Sequence, residues 1–151
     1  MGLDMYLTAK RYVSEYREED KPLHEKVKAL EVPAALGKVN RYETEAAYWR
    51  KANQIHNWFV QNVQDGEDEC RPHYVSVTNL RELLEACKEV LADHDKAEDL
   101  LPVQEGFFFG SYEYDDWYFE QIQDTIQQLE RILSVPESEL ANWDFEYQSS
   151  W

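Results

Sequence analysis

Residues suited to holding a charged ligand fall into two clusters. The first is Trp49-Arg50-Lys51, followed by Asn53 and His56. An indole beside two cations fits a phosphate or carboxylate: a guanidinium forks onto two oxygens while the ring supports the rest of the ligand. Trp49, Asn53 and His56 also recur at helical spacing, so on a helix they share one edge. There an amide and an imidazole would hydrogen-bond a base or sugar while the indole stacks on it. Each residue also has a plainer reading. His56 suits a core-edge histidine bonded to a backbone carbonyl, and Arg50-Lys51 suits a solvated helix start.

The second cluster is GFFFGSYEYDDWYF, residues 106 to 119, where aromatic rings crowd beside acids. The glycines flanking the three phenylalanines that end at Phe109 permit unusual backbone angles, and backbone N–H groups near Ser111, before a helix, can cradle an anion. The segment lacks the lysine and spacing of a P-loop and does not fit a dinucleotide fingerprint. Its plain reading is a buried strand with a turn. Tyr118 and Phe119 begin the apolar stripe of a following helix, which leaves Tyr112, Tyr114 and Trp117 as rings for a recognition surface. The candidate ligand-binding set is therefore Trp49, Arg50, Asn53, His56, Phe109, Ser111, Tyr112, Tyr114 and Trp117.

Catalytic and metal chemistry is less well served. Cys70 and His73 have plausible local spacing but no second pair to complete a zinc site, and Asp65-Gly66-Glu67-Asp68-Glu69 lacks EF-hand ligand spacing. Neither cysteine sits in a Cys-His-Asn pattern and no serine motif marks a nucleophile elbow. Asp115 and Asp116 are adjacent, so on a helix they diverge by about 100° and do not face each other as a dyad. No cofactor and no catalytic residue is assigned.

The elements that must position these residues follow from periodicity. Leu3, Met5, Leu7 and Ala9 alternate with polar neighbours, predicting a strand over about residues 2 to 12. Residues 14 to 40 are charged, and Pro22, Pro33 and Gly37 interrupt any regular element longer than the patch around LHEKVKAL, so the segment reads as an insertion or a mobile excursion. A helix is predicted from about Glu45 to Gln64, with Tyr48, Ala52, Ile55, Phe59 and Val63 on its buried arc and Asp65-Gly66 as its stop. HYVSV reads as a short strand or a lead-in to the next helix. Ser76 or Thr78 caps a helix to about Asp93, residues 93 to 105 form an acidic connector, and Asp115 or Asp116 opens a helix to about Ser134. Trp143, Phe145 and Tyr147 alternate in a last strand. Strands at both ends pair only across the fold, so the expectation is one α+β domain over residues 1 to 151, a small and largely antiparallel sheet covered by three helices.

The 151 residues carry a net charge of −16, unevenly spread: ten Lys and Arg oppose nine Asp and Glu through Lys51, and five oppose twenty-two thereafter. Such a field repels nucleic acid and anionic lipid, which argues against direct contact with either. Its plain function is solubility, and its sharper one is imitation of a nucleic-acid backbone on a basic protein groove. Two cysteines and no apolar run near the roughly 20 residues of a membrane span fit a reducing cytoplasm. Surplus tyrosine and tryptophan leave a homo-oligomer open.

Taken together, GLDMYL, YWRKANQIHNWFV, EC with PHYVS, GFFFGS and YDDWYF resemble a family of small proteins encoded by tailed bacteriophages and prophages. That resemblance implies an accessory protein of the bacterial host cytoplasm and supplies no catalytic residues. Two binding expectations follow: a counter-defence or host-function antagonist that captures a small anionic, nucleotide-like ligand, or an acidic inhibitor that docks on a host protein. A small hydrolase or transferase is the third, less favoured reading.

Overall fold

A computed structural model describes residues 2 to 151. The architecture is α+β, with a four-stranded antiparallel sheet in the order β2 (Arg41–Arg50), β1 (Asp4–Tyr12), β4 (Trp143–Ser150) and β3 (His73–Val75). Strand β1 (Asp4–Tyr12) runs through the middle and β4 (Trp143–Ser150) lies beside it, so the two ends of the chain do pair. Alternation fixes which face of β1 is covered: Met5, Leu7 and Ala9 are buried, with Leu3 ahead of them, and Phe145 and Tyr147 of β4 join them. The short β3 (His73–Val75) closes one side of the sheet.

Three longer helices complete the core. Helix α3 (Val77–Ala92) opens with a reciprocal capping box between Ser76 and Asn79 and buries Leu80, Leu83, Leu84, Cys87 and Val90. Helix α5 (Asp116–Leu133) is capped by Asp115, whose side chain accepts the Tyr118 N–H at 3.0 Å, and buries Tyr118, Ile122, Ile126 and Leu129. Helix α2 (Asn53–Val63) buries Ile55, Phe59 and Val60 and stops where Gly66, in the left-handed region, donates its N–H to the Val60 carbonyl at 2.8 Å. Three shorter helices, α1 (Lys21–Lys28), α4 (Ala97–Leu100) and α6 (Glu137–Leu140), bring the number among the described residues to six rather than the three expected.

The largest correction falls on the helix expected from Glu45 to Gln64. Its first third is instead strand β2 (Arg41–Arg50), paired with β1 from end to end except for a bulge at Ala46. The residues there show period two: Ala47 and Trp49 are buried, while Tyr48, expected on a buried arc, is exposed together with Arg50. Glutamate and alanine favour helix only by fractions of a kcal/mol each, and the backbone hydrogen bonds offered by β1 outweigh that preference. Lys51, at φ 55° in the left-handed region, breaks the direction of the chain between strand and helix. The excursion over residues 14 to 40 is tied to the sheet. Asp20 is fully buried, accepts from the Arg11 guanidinium at 2.7 Å and from the Ser14 N–H at 3.0 Å, and its carboxyl is held below the usual range chiefly by Arg11.

Candidate functional site

The turn at Lys51 opens a groove between the end of β2 and the first half of α5. Its walls are Tyr48 to Ala52, the loop residues Gly110 and Ser111, and a stripe of α5 formed by Trp117, Glu120, Gln121 and Asp124, enclosing about 770 Å³. That stripe follows the three- and four-residue steps of one helix face, continuing to Gln128. Polar residues here do structural work. Gln128 accepts from the Tyr48 N–H and donates to the Tyr48 carbonyl, both at 3.0 Å, capping the exposed edge of β2 with a side-chain amide. Gln121 donates to the Lys51 carbonyl at 3.3 Å and accepts from Gln54 at 3.0 Å, fastening the floor of the groove. The Trp49 indole donates to the Thr125 hydroxyl at 2.9 Å, which in turn donates to the Gln121 carbonyl at 2.7 Å.

The register of β1 and β2 also turns a backbone position toward the groove. The Lys51 N–H reaches the Leu3 carbonyl at 2.8 Å and Gln128 takes both backbone groups of Tyr48, so alternate residues of β2 face away from β1. Arg50 is the next of these, so its N–H and carbonyl point to the edge bordering the groove. Gly110, at φ 97°, is required at the opposite lip: a Cβ there would stand 3.1 Å from the Lys51 Cβ and 3.2 Å from its carbonyl.

Charge in the groove is balanced and unpaired. Arg50 and Lys51 form no ion pair among the described residues, and neither do Glu120 and Asp124, although all four line the same cavity. One Asp124 oxygen is held by Gln128 at 2.9 Å, and the other is free.

Of the residues singled out from the sequence, Trp49, Arg50, Ser111 and Trp117 line this groove. Asn53, His56 and Phe109 lie behind it and hold the loop that forms its lip. Asn53 is buried, donates to the carbonyls of Phe109 (3.2 Å) and Ser111 (2.9 Å), and accepts the Gln104 N–H at 3.0 Å. Phe109 packs edge-on against His56 and against Trp151. Tyr112 donates its hydroxyl to the Gly106 carbonyl at 2.7 Å, and the Tyr114 hydroxyl accepts the Val103 N–H at 3.3 Å, so both brace the loop.

His56 is fully buried, with Nδ1 2.6 Å from the Tyr147 hydroxyl and Nε2 3.0 Å from Asp68 Oδ1. A carboxylate only accepts, so Nε2 carries the proton and Nδ1 accepts from Tyr147, a neutral imidazole with both nitrogens committed. Burial pushes its pKa down against the opposing pull of Asp68, and burial pushes the Tyr147 hydroxyl well up. Asp68 also accepts from Gln104 Nε2 at 2.9 Å and from the Trp151 indole at 3.1 Å, gathering α2, the lip loop and the C-terminus on one carboxylate. Asp68, Tyr147 and Thr125 are the positioning residues that sequence reasoning passed over. Glu120, Gln121 and Asp124 were within its reach, because a helical wheel of α5 puts them in line with Trp117. No helix among the described residues is long and apolar enough to cross a membrane. No protein-family model, curated protein or solved structure matches the chain.

Proposed function

We propose that the protein is a bacteriophage accessory protein that acts by binding, capturing a small anionic, nucleotide-like ligand in the groove between β2 and α5 and so antagonising a host function. One observation carries the reading: in a chain of net charge −16, two cations without ion-pair partners, Arg50 and Lys51, stand together on a concave and mostly apolar surface beside an exposed indole, Trp117. Cations fork onto or neutralise the anion, Trp117 and Tyr48 offer faces for a base, and the Arg50 backbone at the groove edge supplies one donor and one acceptor. The group best able to move a proton, His56, is sealed behind the wall with its nitrogens occupied, which favours capture over turnover. Calorimetry and thermal shift with nucleoside monophosphates and cyclic nucleotides test the reading. Binding that weakens at least tenfold in the double variant Arg50→Gln/Lys51→Gln supports it, and no response across the series ends it.

A second reading rests on a different surface. The lip loop is braced by Tyr112 and Asn53, yet it holds Phe107 at 83% exposure and Phe108, at φ 66°, at 48%. Two rings fixed in water beside Glu105, Glu113, Asp115 and Asp116 suit docking into an apolar cleft with a basic rim on a host protein. Such a complex dissociates as salt rises and is lost in Phe107→Ser/Phe108→Ser, whereas ligand capture in the groove survives that double substitution.

A further inference from the structure

The groove separates its charges instead of cancelling them. Arg50 and Lys51 project from the strand side and Glu120 and Asp124 from the helix side; the four sum to zero, yet no cation reaches an acid within ion-pair distance. A site built only for an anion gains nothing from two carboxylates in its wall, since each repels the ligand. Carboxylates accept and never donate while ionised, so they call for N–H groups on whatever lies against them. Asp124 is prepared for this: Gln128 fixes one oxygen and leaves the other free. Trp117 lies one helical turn before Glu120 and Gln121, so a ring resting on the indole presents its edge to the acids.

Building on the proposed capture of a nucleotide-like anion, we infer that the ligand is amphoteric, a nucleotide whose base carries an exocyclic amine. Its phosphate lies at Arg50 and Lys51, its ring on Trp117, and its amine at Glu120 and Asp124. Carboxylate acceptance from a base amine is an established means of telling bases apart, and the walls here offer it without any rearrangement of ion pairs.

Isothermal calorimetry of the full chain with AMP, GMP, CMP, IMP and UMP tests this, because GMP differs from IMP only by its amine and CMP differs from UMP by an amine in place of an oxo group. The three amine-bearing nucleotides are expected to bind about fivefold more tightly than IMP and UMP, a modest ratio because both carboxylates remain open to water. In Glu120→Ala/Asp124→Ala, which removes both acceptors, the five affinities converge; both side chains are exposed and Gln128 keeps its two bonds to Tyr48, so the fold survives, as a thermal melt verifies. Equal affinities for all five in the unmodified protein overturn this inference and leave anion capture standing. A preference that persists in the double variant overturns the assignment to Glu120 and Asp124. Absence of binding by all five overturns this inference, and absence of binding by the cyclic nucleotides as well ends the reading beneath it.

Discussion

Replacing Asn53 by alanine removes the clamp that holds the lip loop to α2. The side chain is 2% exposed and makes three hydrogen bonds to backbone groups, donating to Phe109 and Ser111 and accepting from Gln104. Each such bond contributes roughly 1 kcal/mol net, and a carbonyl left buried without a donor costs more than that, so the loss of stability is about 3 kcal/mol. Asn53→Asp is the sharper test. It keeps the acceptor for Gln104 but turns the amide that feeds two carbonyls into an oxygen facing them, so the aspartate variant falls below the alanine variant despite being closer in shape. Urea unfolding followed by tryptophan fluorescence measures both: the midpoint drops with the slope unchanged, and groove binding weakens in step because Gly110 and Ser111 form the lip. An alanine variant within 1 kcal/mol of the parent, or an aspartate variant more stable than the alanine, would refute the account of the loop as held by this residue.

Three further outcomes follow from the same interior. Because burial lowers the His56 pKa in the folded state, the unfolded chain takes up that proton first, so stability falls as pH drops below about 6.5 and stops falling through this group once the folded-state pKa is passed. Against His56→Gln, the parent loses at most about 1.4 kcal/mol more per pH unit across that window, and parallel curves from urea titrations at pH 7.5 to 5.5 would contradict it. Trp49→Phe removes the indole donor to Thr125 and leaves a gap in a site that is 3% exposed, costing about 2 kcal/mol in a denaturant melt while the Thr125 hydroxyl keeps its bond to Gln121. Burial pushes the Cys87 thiol up to about 12 while Cys70 is exposed, so iodoacetamide at pH 8 labels Cys70 alone in the folded protein, and mass spectrometry showing both modified without denaturant would place α3 differently.

Elements with an unambiguous period were legible in the sequence. Leu3 to Ala9 alternate and form a strand; Leu80 to Val90 and Tyr118 to Leu129 step by three and four and form helices. The segment from Glu45 to Phe59 satisfied both periods at once, since Tyr48, Ala52, Ile55 and Phe59 fit a helix while Ala47 and Trp49 fit a strand, and the choice was made by β1, some forty residues away, which had an edge to fill. The same distance governs the site. Arg50, Ser111 and Trp117 were separable from the core by type alone, but only the turn at Lys51 and the packing of α5 put them on one concavity. His56 shows why local reasoning stops short: a histidine inside an apolar arc is compatible with a pocket or a buried relay, and the groups that decide between them, Asp68 and Tyr147, lie 12 and 91 residues along the chain. Once both nitrogens are committed there, the imidazole secures the wall on which the lip loop rests, and in the proposed capture a ligand meets the unpaired charges on the other side.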